Sequence, residues 1–212
     1  PMGLNVSAGC LSSLMSTILR PYLGKCVLVY LDDVLIYSPS VKQHLIDVEN
    51  VLTEFKKAEL LLHPTKCKFA LNKAEFLGFT FTPDGLLPSA KHTTAVSQYQ
   101  APKNVREVRT FLGLVNYFKR HVPDRATLLQ PLTDLTRKDK AFEWTDECQR
   151  HFEKAKSLLT SKPLMAYPRF NDTFYLATDA STIAIGGCLM QYNKALDCLQ
   201  PVAYCGQRLD KH

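Results

Sequence analysis

Asp32 and Asp33 stand side by side in the middle of an otherwise apolar run, Cys26-Val27-Leu28-Val29-Tyr30-Leu31-Asp32-Asp33-Val34-Leu35-Ile36-Tyr37. Two adjacent carboxylates withdrawn from water lose hydration and repel each other, so the pattern demands a compensating charge. A divalent cation supplies one: Mg²⁺ prefers oxygen ligands and takes one or two carboxylates together with phosphate oxygens of a substrate. Successive side chains of a strand point to opposite faces, so neighbouring aspartates converge on one ion only from a turn. The β-branched and aromatic residues on both sides predict two strands, and the chemistry therefore requires a hairpin over residues 26–37 with the carboxylates at its tip. The same pair also suits an inert, solvated turn. The surrounding sequence decides between the two.

Before the hairpin, Leu11, Leu14, Met15, Ile18 and Leu19 recur at three- and four-residue steps, a helical stripe closed by Pro21. After it, Leu45, Val48, Val51, Leu52 and Phe55 predict an amphipathic helix, with Pro64 beyond its end. Residues 69–71 and 76–81 are strand candidates, and Pro83-Asp84-Gly85 is a turn that marks the first expected domain boundary. Asn104, three residues before Glu107, predicts an N-cap and a helix running to about His121. Further helices are expected over residues 127–135 and from Thr145 to residue 159, before Pro163. Beyond Pro168 the pattern turns to period two: a strand leads through Phe174 and Ala177 to Asp179, and Gly186 and Gly187 fit a tight return into the next strand. The expected fold class is α+β.

With 212 residues, 46% of them hydrophobic and 22% charged, the chain can bury a substantial core. No apolar run reaches the roughly 18 residues that would span a bilayer, so the expectation is an intracellular protein without a membrane partner. Seven scattered cysteines form no CxxC pair and are expected as reduced thiols. His63 and Cys67 have no second ligand pair nearby, which leaves a zinc site unsupported. A net charge of +6 suits a polyanionic partner. Pro1 is no initiator and the chain stops at Lys211 and His212 without a closing element, so the sequence reads as a piece of a longer protein.

Tyr30-Leu31-Asp32-Asp33 followed by Val34-Leu35-Ile36-Tyr37-Ser38 closely resembles the YxDD hairpin of reverse transcriptases in the form typical of Ty3/Gypsy-type retroelements. Pro1-Met2-Gly3-Leu4 resembles the family's PFGL segment, and Phe76-Leu77-Gly78-Phe79 its primer grip. Residues 110–117, Thr-Phe-Leu-Gly-Leu-Val-Asn-Tyr, resemble its thumb signature. Phe142-Glu143-Trp144-Thr145 is similar to the lead into the RNase H module, and Thr178-Asp179-Ala180-Ser181 to that module's first catalytic strand. These segments occur in the family's order along nearly the whole chain.

The resemblance implies the C-terminal part of a reverse-transcriptase palm over residues 1–82, a thumb over 83–140 and the N-terminal part of an RNase H-like domain over 141–212. It implies an RNA-directed DNA polymerase working by two-metal phosphoryl transfer with Mg²⁺ or Mn²⁺, on an RNA or DNA primer-template and deoxynucleoside triphosphates, within a Pol polyprotein. Asp32 and Asp33 take the place of the polymerase carboxylates, and Asp179 that of the first RNase H carboxylate. Tyr30 is expected on Asp32's face beside the primer end, Met2 beside the incoming sugar, and Phe76, Leu77 and Gly78 along the primer strand. Lys103, Arg106 and Arg109, at three-residue steps, are expected to share a helical face and meet duplex phosphates. Met2 departs from the family's usual Phe, and the Asn-Val-Ser-Ala-Gly-Cys-Leu-Ser-Ser segment that follows Leu4 departs from its usual pattern. Further carboxylates of both sites are expected outside these 212 residues, which would leave the chain inactive alone. The alternative is a non-catalytic relic that only binds nucleic-acid duplex.

Overall fold

Local signals account for most of the elements in the computed structural model, which describes residues 7–138, 140–161 and 164–209. The chain divides into two compact units, Pro1–Asn72 and Lys73–His212. In the first, helix α1 (Ser7–Ile18) buries Met15, and Leu19 just beyond it is fully buried. Strands β1 (Val27–Tyr30) and β2 (Asp33–Ile36) pair antiparallel, as the alternating apolar pattern requires. Helix α2 (Val41–Lys57) starts where the Ser40 side chain accepts a hydrogen bond from the Gln43 N–H, satisfying one of the free donors of the first turn. It buries Asp47, Val51 and Phe55 at four-residue steps, and Val51 and Phe55 pack with Met15, Leu19 and Val27 into one small core.

The second unit opens with an antiparallel sheet of β3 (Ala74–Phe76), β4 (Phe79–Thr82) and β5 (Gly85–Pro88), followed by helix α3 (Ala90–Ser97). Helix α4 (Val105–Tyr117) carries the expected cap: Asn104 accepts from the Glu107 N–H at 3.0 Å, and the Glu107 carboxylate reaches back to the Lys103 N–H at 2.8 Å. Short helices α5 (Arg125–Leu128) and α6 (Gln130–Asp134) follow, then α7 (Asp146–Thr160), capped by Thr145 with Asp146 and Glu147 in its first turn, where they favour the helix dipole. Phe111 of α4 meets Phe152 of α7 with ring centroids 4.6 Å apart, at the centre of a core that includes Val108, Val115, Leu132, Ala155 and Leu159. A second antiparallel sheet of β6 (Tyr175–Ala180), β7 (Ala184–Asn193) and β8 (Cys198–Arg208) closes the unit. It is fastened to the helices by Arg208 on Asp134 at 2.9 Å and by Arg125 on the Gly206 carbonyl at 3.2 Å. The fold class is α+β, as expected.

Several expectations need correction. Residues 69–71 form no strand; a 3-10 turn at Pro64–Lys66 precedes them, and Phe69 and Leu71 are exposed, so the apolar residues there signal no pairing. The single strand expected over 76–81 is a hairpin, because Leu77 and Gly78 both take positive φ. The expected 127–135 helix breaks at Leu129, and α4 ends at Tyr117 before a 3-10 turn at Lys119–His121. The return between β6 and β7 lies at residues 181–183, held by the Ser181 hydroxyl accepting from the Ile183 and Ala184 N–H groups, while Gly186 and Gly187 sit inside β7. All seven cysteines are free thiols. Among the described residues, no helix is long and apolar enough to cross a membrane.

Among the described residues, His121 is the conspicuous polar anomaly in this core. It is 2% exposed, neither ring nitrogen has a hydrogen-bond partner, and the ring stacks on Phe79 at 5.4 Å. Burial pushes its pKa below the ordinary imidazole value against a smaller opposing pull from the Leu86 backbone, and the Arg120 charge adds to the lowering. The unfolded chain therefore binds this proton more readily than the native one, and stability falls as pH drops below the ordinary value of about 6.5. Thermal unfolding from pH 8 to pH 5 is expected to show a steeper loss of Tm for the natural chain than for His121→Phe. The variant is expected to gain up to about 1–3 kcal/mol at pH 7 by removing the orphaned polar atoms.

Candidate functional site

The β1–β2 ladder pairs Val27 with Ile36 and closes with Tyr30 opposite Asp33, so the loop between the strands is only Leu31 and Asp32. Two-residue hairpin loops need positive φ at one or both central positions. Leu31 supplies it at +56°, a conformation that strains a non-glycine residue by about 1–3 kcal/mol. Asp32 and Asp33 both emerge exposed, one in the loop and one as the first residue of β2. Directly opposed residues of a ladder share a face, so Tyr30, 53% exposed, lies beside Asp33. The expectation that Tyr30 would share Asp32's face assumed a continuous strand, and the strand ends at Tyr30.

The base of this hairpin is tied to α2 through one buried carboxylate. Asp47 accepts from the Ser38 hydroxyl at 2.5 Å and from the Gln43 side-chain amide at 2.9 Å. Those two hydrogen bonds hold its carboxyl below the usual carboxylate range. Just before β1, Cys26 lines the same open cavity as Ser38, Gln43 and Asp47, and burial and then the Asp47 charge push its thiol pKa up. The Tyr37 N–H donates to the Cys26 carbonyl at 2.9 Å, so both strand ends meet at this point. Sequence reasoning missed Asp47, although its position in register with Val51 and Phe55 marked it as an acid on the buried stripe.

The tip itself offers two adjacent hard-oxygen donors open to solvent. This donor set fits Mg²⁺, which takes one or two carboxylates and draws its remaining ligands from water and phosphate. Among the described residues no group of three His, Cys, Asp or Glu side chains assembles into an ion site. His63 bonds through its ring to the Thr65 hydroxyl at 3.0 Å, and Cys67 donates its thiol to the His63 carbonyl.

Phe76, Leu77 and Gly78 form the second turn of interest. Phe76 pairs with Phe79, leaving Leu77 at φ +49° and Gly78 at φ +70° as the two central residues. Positive φ at both positions defines a type I′ loop, where Asn-Gly is the usual choice and leucine is strained. Gly78 has no alternative: a Cβ there would meet the His92 ring at 2.8 Å. Phe76 is buried, while Leu77 and Gly78 are half-buried.

The three basic residues expected on one helical face separate. Lys103 precedes the N-cap and lies outside α4, so three-residue spacing does not align it with Arg106. Arg106 and Arg109 are both exposed on α4, but Arg109 donates to the Thr136 carbonyl at 3.1 Å. Asp179 is exposed in β6, and the residue opposite it is Gly186, so no cross-strand side chain covers that carboxylate. Its Oδ1 accepts from the Ala180 N–H at 2.9 Å. Met2 lies outside the described residues.

Comparison with known proteins matches residues 1–81 to the reverse transcriptase (RNA-dependent DNA polymerase) family model and residues 144–212 to the RNase H-like domain found in reverse transcriptase. The chain is 35% identical over 213 residues to the retrovirus-related Pol polyprotein from transposon 297 of Drosophila melanogaster, covering 100% of this chain and 20% of that protein. It is 33% identical over 211 residues to the transposon Tf2-3 polyprotein of Schizosaccharomyces pombe, covering 100% of this chain and 16% of that protein. The chain thus spans a fifth or less of the length of these relatives. Among solved structures, the foamy viral protease-reverse transcriptase dRH in complex with double-stranded DNA superposes with a TM-score of 0.83 at 23% identity, over 98% of this chain and 36% of that one. The foamy viral protease-reverse transcriptase in complex with RNA/DNA hybrid gives a TM-score of 0.79 at 23% identity, over 99% of this chain and 28% of that one.

Two substitutions test the two turns. Gly78→Ala combines positive φ with the His92 contact and is expected to lower stability by about 1–3 kcal/mol in chemical denaturation. Asp47→Asn is expected to lower Tm at neutral pH. Because the native carboxyl is held below its unfolded value, the Asp47 contribution is present above the ordinary Asp range and lost as pH falls through the native value. The gap in Tm between natural chain and variant should therefore narrow on acidification below about pH 4.

Proposed function

Because the chain belongs to the reverse-transcriptase family of Ty3/Gypsy-type retrotransposon Pol polyproteins, we propose that it supplies the polymerase hairpin, the thumb and the first RNase H-like strands of an RNA-directed DNA polymerase with an RNase H module. On this reading residues 1–82 belong to the palm, 83–140 to the thumb and 141–212 to the RNase H-like domain. The observation that carries the reading is the tip of the β1–β2 hairpin: two adjacent, exposed carboxylates with an exposed tyrosine opposite the second of them.

The reaction extends a primer strand by one deoxynucleotide. The primer 3′ oxygen forms a new bond to the α-phosphorus of a deoxynucleoside triphosphate, the bond to the β-phosphate oxygen breaks, and pyrophosphate departs. Mg²⁺, when bound, neutralises charge on the triphosphate and favours the ionised 3′ oxygen. Asp32 and Asp33 are the residues that would hold it, with Asp32 the more direct ligand. Tyr30, on Asp33's face, gives the primer terminus an aromatic surface to lie against. The Leu77-Gly78 turn presents backbone to the primer strand, and Arg106 is free to meet a duplex phosphate. Asp179, uncovered by its cross-strand neighbour, would on this reading hold divalent metal for the separate hydrolysis of an RNA strand.

Primer extension by the reading frame that encodes this segment tests the proposal. Extension of an RNA-templated DNA primer with Mg²⁺ is expected, and Asp32→Asn is expected to reduce it by at least about a hundredfold, since removal of one metal-centred electrostatic interaction has effects of that order. Unchanged extension by Asp32→Asn would overturn the assignment. Duplex binding with no extension, insensitive to removal of Mg²⁺ and weakening steeply with salt, would establish the non-catalytic module instead.

A further inference from the structure

The Leu77-Gly78 turn is strained, yet both of its carbonyls are held from outside the hairpin. The Tyr117 hydroxyl, at the end of α4, donates to the Leu77 carbonyl at 2.7 Å. The Ser89 N–H, immediately before α3, donates to the Gly78 carbonyl at 2.9 Å. Between these two anchors sits His92, whose ring lies against Gly78 closely enough to forbid a Cβ. That ring is fixed in turn: its Nδ1 lies 2.9 Å from the Ser89 hydroxyl, and it stacks on Tyr117 at 6.0 Å with an interplanar angle of 12°. Phe79, the residue that closes the turn, also stacks on Tyr117, with ring centroids 5.7 Å apart.

A core role alone does not account for Tyr117. The residue is 51% exposed, and Phe118 beside it already fills the buried position at 1% exposure. What the phenol adds is one hydrogen bond from helix to turn, made across 40 residues of sequence. Backbone held in a sparsely populated conformation persists only when its surroundings over-determine it. Tyr117, His92 and Ser89 provide that excess of constraint at the one turn offered to the primer.

We infer that Tyr117 is a positioning residue for primer extension, its hydroxyl locking the Leu77 carbonyl and with it the orientation of the turn that presents backbone to the primer strand. The inference rests on the proposed polymerase function. It links helix α4, whose exposed side carries Arg106, to the primer-facing turn through a single donor.

Tyr117→Phe keeps the ring, and so the stacks on His92 and Phe79, and removes only the donor. In the 212-residue chain, hydrogen exchange at the Phe79 amide, which closes the turn opposite Phe76, is expected to quicken by about tenfold, the equivalent of one net hydrogen bond, with the exchange of β5 unaffected. In the encoding reading frame, kcat for extension is expected to fall by about ten- to a hundredfold, as small misplacements of reacting groups do, while KM for the nucleotide and duplex Kd are unchanged. A purely structural tyrosine would lower Tm and leave that kcat-against-KM split absent. Unaltered exchange at the turn, or extension at the natural rate by Tyr117→Phe, overturns the inference. If Asp32→Asn is inactive while Tyr117→Phe extends normally, the clamp alone fails. If Asp32→Asn extends normally, the polymerase reading fails, and the exchange measurement still decides whether Tyr117 holds the turn.

Discussion

Two leucines held at positive φ fix the geometry on which the proposed chemistry depends. Leu31 at +56° and Leu77 at +49° each occupy the first central position of a two-residue hairpin loop, where glycine or asparagine is unstrained. The strain at each is about 1–3 kcal/mol, so neither turn would persist on local preference alone. At Leu31 the four-residue ladder from Val27 to Tyr30 and the Asp47 anchor at its base hold the hairpin closed. At Leu77 the same service comes from Tyr117, His92 and Ser89. A one-residue slip of the first ladder would turn Asp33 and Tyr30 to the opposite face and dissolve the carboxylate tip.

The first hairpin was legible because its signals are local and redundant. Apolar, β-branched residues flank two acids that cannot both be buried, and only a turn between Tyr30 and Asp33 satisfies both facts. The caps at Asn104 and Thr145 were legible for a similar reason: a side-chain acceptor three residues ahead of the N–H it satisfies is written in the chain itself. The second turn was hidden. Phe76-Leu77-Gly78-Phe79 reads as one apolar strand, and only the ring of His92, fourteen positions beyond Gly78, makes glycine obligatory there. Long-range constraint of this kind leaves no periodic trace.

The same distinction explains the other misreadings. Gly186 and Gly187 suggested a turn, but in β7 they face Asp179 and Thr178 across the ladder, and what their small size provides is an uncovered carboxylate. Lys103, Arg106 and Arg109 have helical spacing, yet the cap at Asn104 starts the helix at Val105, which leaves Lys103 outside it. Arg109 is then drawn to the Thr136 carbonyl beyond α6. Charge spacing predicts a face only where the backbone is already helical. Asp47 is the opposite case, a polar residue on an apolar stripe that was readable, and its carboxylate ties α2 to Ser38 just beyond the strand that carries Asp33.

The proposed function requires Asp32 and Asp33 to hold a divalent cation from their place at the hairpin tip. Titrating the 212-residue chain with Mn²⁺ while recording amide NMR spectra tests it most directly, because a bound paramagnetic ion broadens only nearby resonances. Selective broadening of residues 30–33 that disappears in the Asp32→Asn, Asp33→Asn double variant is the predicted result. Equal broadening around other exposed acids such as Glu59, Asp84 and Asp124, with no change in the double variant, would contradict the account.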